Sequence, residues 1–274
     1  MPELPEITVL ARQMKGELVG KAFTGIEVLQ PKCLNVSEEA FVGALTGARL
    51  LDVTPRGKWI LTETDRGWLL LNLGMGGEIL LVTRETLPEK RRLVFDFDDD
   101  TCLAVNFWWF GYAHYLRPGE LGDHAMTAKL GPNALDLTLD QFKALLRGRR
   151  GRIKSFLLNQ GRIAGIGNVY VQDPLFKARI HPLRPINTLS EDEVAALWRA
   201  IRETLRESIE HGGSAWELNL YGEKGRWDES FLRVGYREGQ PCPACGTAIR
   251  KIKTGSTSSF VCPQCQALGD AGVG

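Results

Sequence analysis

The chain has 274 residues, of which 43% are hydrophobic and 24% charged, with a formal net charge of +1. That is ordinary for a folded protein with room for two cores, and no apolar run reaches the roughly 18–20 residues of a membrane helix. The start, Met1-Pro2-Glu3-Leu4-Pro5-Glu6, is acidic and proline-bearing, so it is no secretory signal, and a cytoplasmic protein without membrane contacts is expected.

Residues 3–19 are expected to form a helix. Pro5 suits its first turn, Glu3 and Glu6 suit its positive end, and Ile7, Leu10, Ala11, Met14 and Leu18 form one apolar stripe. Residues 22–117 then read as strands, with seven segments rich in β-formers up to residue 107, and their spacing predicts a sandwich or barrel. Asp65-Arg66-Gly67 marks a hairpin between two of them. Beyond about residue 120 the pattern turns helical, at 137–148, 152–160, 168–178 and 190–212. Thr138 and Ser190 are the expected N-caps, and Ser190 opens a capping box. Residues 213–240 carry no clear pattern, and the 269–274 tail is expected to be disordered.

Of six cysteines, four stand as Cys242-Pro-Ala-Cys245 and Cys262-Pro-Gln-Cys265, separated by 16 residues. This is the spacing of one tetrahedral structural zinc ion held by four thiolates, with no open position for catalysis. The segment 248–261 between the pairs alternates like a hairpin with Gly255 near its tip. Two basic stretches stand out: Lys143–Lys154, with six cations and no acid, and Arg250, Lys251 and Lys253. Each reads as a solvated face or as a surface for nucleic-acid phosphates.

Gly165 and Gly167 flank Ile166 between two helical segments, with Asn168 opening the second. The turn serves either helix packing or the approach of a phosphate to backbone N–H groups. Pro2 is open to two readings as well. It is a helix-initiating residue or, once Met1 is removed, a terminal secondary amine able to attack an aldehyde-like carbon, with Glu3 beside it to move protons. Such an amine has an ordinary pKa of about 8.

Taken in order, PELPE, PRGKW (55–59), LGMGG (73–77), AGIGNVY (164–170), FKARIHP (176–182) and the four-cysteine finger resemble the formamidopyrimidine-DNA glycosylase/endonuclease VIII family, nearer its formamidopyrimidine branch. The resemblance implies an α+β multidomain fold. Residues 1–120 would be a catalytic β-sandwich with a leading helix, 121–136 a linker, 137–230 a helix–two-turn–helix DNA-binding domain and 231–268 a zinc-finger hairpin. It implies a monomer that flips a damaged base out of DNA, removes it and cuts the strand, with DNA lying in a cleft between the domains. By motif, Pro2 would be the Schiff-base nucleophile, Glu3 the acid/base, and Lys58, Lys154 and Asn168 would hold phosphates. Met75 would fill the gap left by the base, where the alternative is a methionine of a strand core.

The chain departs from the family in places. Where an arginine and a phenylalanine are usual in the loop facing the orphaned base, it has Asn106-Phe107-Trp108-Trp109-Phe110-Gly111. Phe110 remains as a wedge. Trp108 replaces the arginine fork with a ring that stacks, on a base or on the protein's own core. Thr257 stands at the finger's usual arginine, where Lys251 or Lys253 would have to compensate. Val-Gly-Tyr at 234–236 replaces Val-Tyr-Gly, Asn159 replaces aspartate, and Pro174 is expected to kink its helix. The expected activity is lyase chemistry on oxidised or ring-opened bases in duplex or single-stranded DNA, with weak removal of 8-oxoguanine opposite cytosine. The alternatives are a non-catalytic damaged-DNA-binding protein of the same fold and an unrelated zinc-ribbon protein.

Overall fold

The computed structural model describes residues 1–108 and 110–268; Trp109 and the 269–274 tail, with its expected disorder, lie outside the described residues. The chain divides into two compact units, Met1–Lys129 with Ile209–Arg226, and Leu130–Ser208 with residues 227–274.

The first unit opens with α1 (Leu4–Leu18), whose expected apolar stripe is buried. Eight strands follow among the described residues: β1 (Phe23–Val28), β2 (Leu50–Arg56), β3 (Trp59–Thr64), β4 (Gly67–Asn72), β5 (Glu78–Thr83), β6 (Leu93–Phe97), β7 (Thr101–Asn106) and β8 (Tyr112–Leu116). They form two antiparallel sheets, β1-β6-β7-β5 and β2-β3-β4-β8. The hairpin around Asp65-Arg66-Gly67 joins β3 to β4, with Thr64 opposite Gly67. Inward residues of the strands, including Phe23, Ile60, Leu71, Phe95 and Val105, make one core with Ile7, Leu10, Met14 and Leu18 of α1. Apolar faces from a helix and both sheets thus leave water together.

Two elements of this unit were not expected. Helix α2 (Glu38–Leu45) is capped by Ser37, whose hydroxyl accepts from Ala40 N–H, and it buries Phe41 and Leu45. Strand β8, inside the stretch read as strands but not among its seven segments, completes the second sheet, pairing Asn72 with Tyr112 and Trp68 with Leu116.

The segment 209–226 also belongs here rather than to a continuous helical domain over 137–230. Leu220 is fully buried in the sandwich core; its N–H donates to the Gln13 side chain and its carbonyl accepts from Leu81 N–H. These long-range pairings decide its place and leave no local sequence pattern.

The second unit holds α3 (Leu139–Leu146), α4 (Ile153–Leu157), α5 (Gln172–Lys177), α6 (Glu191–Glu210) and the hairpin of β9 (Arg250–Thr254) and β10 (Thr257–Val261). Thr138 and Ser190 cap α3 and α6, each in a reciprocal box with the residue three positions on. Pro174 does not kink a long helix. The helix expected over 168–178 begins only at Gln172, so Pro174 falls in its first turn, where the missing N–H costs nothing. The hairpin packs Phe260 with Ile249, Val234, Phe176 and the buried Cys242 and Cys262.

Candidate active site

The chain's first residues are anchored at the head of α1. Pro2 and Glu3 are buried, as is Glu6. Glu6 acts as a clamp: one carboxylate oxygen accepts Glu3 N–H at 2.8 Å, and the other accepts Ser214 N–H at 3.0 Å. The helix start and the 209–226 segment are therefore tied through one side chain. The Met1 ammonium pairs with Glu217 at 3.1 Å. Burial raises the Glu217 pKa above the ordinary carboxylate value; the terminal ammonium opposes that shift and the nearby Glu6 adds to it.

Lys58 sits in the β2–β3 turn, half-exposed, with Nζ 3.9 Å from Met1 Sδ. It thus approaches the terminus from the sandwich side. Asn72 fixes this turn, donating to the Lys58 carbonyl at 2.9 Å while its own oxygen accepts Gly74 N–H. Asn72 therefore joins the Lys58 turn to the LGMGG loop. Gly74 and Gly76 take left-handed backbones there, with φ of 57° and 65°. The loop holds Met75 half in solvent, so it is not a strand-core methionine. A Cβ at Gly76 would lie 3.6 Å from the Trp108 ring, so this loop and the Trp108 segment run side by side. Trp108 and Phe110 are 63% and 72% exposed, which answers the core-packing alternative for Trp108. Lys90 Nζ lies 5.9 Å from the centre of the Trp108 ring.

Asn168 and Lys154 belong to the second unit. Asn168 lies in the turn before α5 and is not its N-cap, which is Val171. Its side-chain oxygen accepts from Gln172, and its amide donates to Tyr236 Oη at 3.3 Å. Gln172 also reaches the Ser258 carbonyl on β10. Gly165 N–H is already given to Gln160 Oε1 at 2.8 Å, so it is engaged within the turn rather than presented to an anion.

Lys154 is corrected more sharply. The expected phosphate contact needs an outward ammonium, but this residue is 1% exposed. Its Nζ, with three protons to give, lies 2.7–3.1 Å from four acceptors: Thr254 Oγ1, Thr257 Oγ1, the Ser258 carbonyl and Ser259 Oγ. Burial holds its pKa down to about 8. Thr257, where the resemblance places an arginine, thus accepts from Lys154 of α4 and donates to the Thr254 carbonyl across its own hairpin. The exposed cations of the two basic stretches are Arg147, Arg149, Arg150 and Arg152, and Arg250, Lys251 and Lys253. Lys251 and Lys253 lie two residues apart on β9 and share a face.

The four cysteine sulfurs lie within 4.8 Å of one another, with Cys242–Cys265 at 3.8 Å and Cys245–Cys262 at 3.4 Å. A zinc tetrahedron with bonds of about 2.3 Å has sulfur–sulfur edges of about 3.8 Å. The donor set therefore fits a single zinc ion with four thiolates and no open position.

The chain matches the models of the formamidopyrimidine-DNA glycosylase N-terminal domain over residues 1–106 and its H2TH domain over 130–219, and a zinc finger found in FPG and IleRS over 239–268. The chain belongs to the formamidopyrimidine-DNA glycosylase family. Members are bifunctional, joining DNA glycosylase to abasic-site lyase activity, and the chain is an enzyme of this class. It is 38% identical to the formamidopyrimidine-DNA glycosylase of Chloroflexus aurantiacus, over 97% of this chain and 98% of that one. It is 36% identical to that of Pelotomaculum thermopropionicum, over 98% of this chain and all of the other. The crystal structure of Lactococcus lactis Fpg (MutM) with DNA containing N7-benzyl-Fapy-dG superposes with a TM-score of 0.90 at 31% identity, covering 97% of this chain and 100% of that one. The same enzyme's complex with abasic-site DNA gives 0.89 at 30%, covering 97% and 99%.

Four residues of this glycosylase escaped the sequence reading. Asn72 and Glu217 carry no motif of their own. Glu6 stands in PELPE, and its three-residue offset from Glu3 was the available signal. Asp173 is buried and accepts the N–H groups of Arg233, Val234 and Gly235 at 2.8–3.0 Å, which fixes the loop carrying Tyr236 toward Asn168.

Proposed function

We propose that this glycosylase excises oxidised or ring-opened bases from DNA with Pro2 as nucleophile, after removal of Met1. The freed secondary amine bonds to C1′ of the deoxyribose, the base departs with the glycosidic electron pair, and ring opening leaves an iminium that primes strand cleavage. Glu3 moves protons at the sugar, and Lys58 meets a phosphate beside the lesion. The observation that carries this reading is the anchored terminus: Pro2 and Glu3 are buried, Glu6 accepts Glu3 N–H, and Lys58 Nζ lies 3.9 Å from Sδ of Met1, the residue before Pro2. The DNA complexes formed by the similar Lactococcus lactis enzyme support DNA as the partner. In the second unit, Asn168 and the exposed cations of β9 would contact backbone phosphates, and the zinc ion would keep the hairpin folded. A monomer working on DNA in the cytoplasm is the corresponding cellular reading.

Borohydride trapping on an oligonucleotide with an abasic site tests the nucleophile. A covalent adduct is expected, and Pro2→Gly or an uncleaved N-terminal tag should remove it. An adduct that survives both changes would rule Pro2 out, and no adduct at all would leave a non-catalytic damage binder.

Lesion preference follows from Trp108. An exposed indole beside the Met75 loop stacks on a base without reading its edge. Phe110 holds an outward ring on a left-handed backbone, φ 57°, a strain of about 1–3 kcal/mol that no core packing offsets. Both features suit filling a gap in a stack more than selecting cytosine. Excision of 8-oxoguanine opposite cytosine is expected to be slow relative to ring-opened purines and oxidised pyrimidines. A panel of paired and single-stranded lesion oligonucleotides decides the matter, and rapid 8-oxoguanine release opposite cytosine alone would overturn it.

A further inference from the structure

Glu217 is the acidic partner of the chain's amino end. Its carboxylate meets the Met1 ammonium at 3.1 Å, with only 18% of the side chain exposed. The charged groups that act on it are the terminal ammonium and Glu6 on α1, itself tied to Ser214 N–H three residues before Glu217, while Lys58 approaches Met1 at its sulfur. The Pro2 nitrogen is one peptide unit from that ammonium, and successive Cα atoms are only about 3.8 Å apart. Removing Met1 therefore moves the terminal amine by one residue, a step of about 3.8 Å along the chain from the position that Glu217 now pairs with.

We propose that Glu217 is a catalytic residue of this enzyme, the base that takes the proton from the Pro2 ammonium before attack. The inference rests on the Pro2 reading above. In the step, the N–H bond of Pro2 breaks and its proton passes to the Glu217 carboxylate. The freed lone pair forms the bond to C1′. The bond from C1′ to the base breaks, its electron pair leaves on the base, and the base takes a proton from water. The raised affinity of Glu217 for a proton suits an acceptor working near neutral pH. Glu3, capping α1, keeps the separate role at the sugar proposed above.

The test is the pH dependence of borohydride trapping on an abasic-site oligonucleotide, using protein whose loss of Met1 is verified by mass. For Glu217→Gln, trapping should slow by roughly 100-fold at pH 6.5. The gap should close as pH rises past about 8, where the amine loses its proton to water unaided. Glu217→Asp should recover part of the rate at pH 6.5. Profiles of wild type and Glu217→Gln that coincide, or a gap that is the same at every pH, would overturn the proposal while leaving Pro2 as nucleophile. No adduct from the wild-type protein would instead remove the Pro2 reading, and this inference with it.

Discussion

Lys58 and Lys154, one in each compact unit, carry the same charge and end in opposite circumstances. Lys58 stands in a strand turn, half-exposed, with the terminal residue in reach of its ammonium. Lys154 points into the finger hairpin, where four oxygens surround its ammonium. The difference shows what makes a lysine available to a phosphate. A buried ammonium with its protons already donated would have to break those bonds and leave hydroxyls unsatisfied before it could turn outward. An exposed one needs only to shed water and counterions. In this enzyme the sandwich unit leaves Lys58 half-exposed, and α4 commits Lys154 to the finger hairpin.

The largest effect that sharpens this contrast comes from removing the metal. Zinc binding in small fingers is worth about 10–16 kcal/mol of folding free energy. Chelation, or Cys245→Ala, is expected to unfold the hairpin and abolish tight DNA binding while α1 and the sandwich stay protected from amide exchange. Loss of protection in both units together would show that the finger is no independent structural element. Next in size is Lys58→Ala. Nicking of abasic-site DNA should fall by about 100-fold, and the salt dependence of binding should lose roughly one phosphate's worth of slope. An unchanged slope would return Lys58 to the ordinary solvated surface.

Lys154→Met should behave in the reverse manner. It leaves Thr254, Thr257 and Ser259 hydroxyls without their charged donor, a cost of about 2 kcal/mol. Melting should therefore move down by roughly 5 °C. The salt slope should not change, because no phosphate contact is lost. A fall in slope with melting unchanged would mean that Lys154 swings outward on DNA, and the contrast with Lys58 would break.

Local pattern made much of this molecule legible. The stripe of α1, the seven strands, the Thr138 and Ser190 caps and the cysteine spacing all depend on neighbours a few residues apart, and the structure has them. Helix α2 escaped because eight residues interrupted by Gly43 hold too little periodicity to stand out. Strand β8 escaped because it is short and follows a run of aromatic residues rather than a turn signal. What remained hidden depends on contacts far along the chain. Leu220 pairs with Gln13 and Ser214 with Glu6 across some 200 residues, which is why 213–240 showed no pattern. The run Lys143–Lys154 announced six cations but not that the last of them faces inward, since the threonines and serines receiving it lie about a hundred residues on.

The smallest effect concerns a second group turned inward, this time in the sandwich unit. His114 on β8 donates to or accepts from His124 at 2.8 Å, and His124 meets the Thr127 hydroxyl at 2.8 Å. Trp59 packs against both rings, at 5.7 and 5.3 Å between centroids. Burial, then the neighbouring His124, pushes the His114 pKa down to about 4, and burial lowers His124 as well. In the unfolded chain a histidine takes its proton near pH 6.5, whereas in the fold this one resists until about 4. The unfolded state therefore binds more protons throughout that interval. The stability given by the neutral pair is complete above pH 6.5 and is lost as pH falls toward 4. One such group changes the opening equilibrium by at most roughly ten-fold per pH unit. Amide exchange in β4 and β8, corrected for intrinsic rates, should accelerate by that order between pH 6.5 and 5.5, and His114→Gln should flatten the dependence. Equal acceleration in the variant would assign the acid sensitivity to carboxylates instead, and the inward-facing polar groups of the sandwich would then carry no charge-dependent cost comparable to that of Lys154.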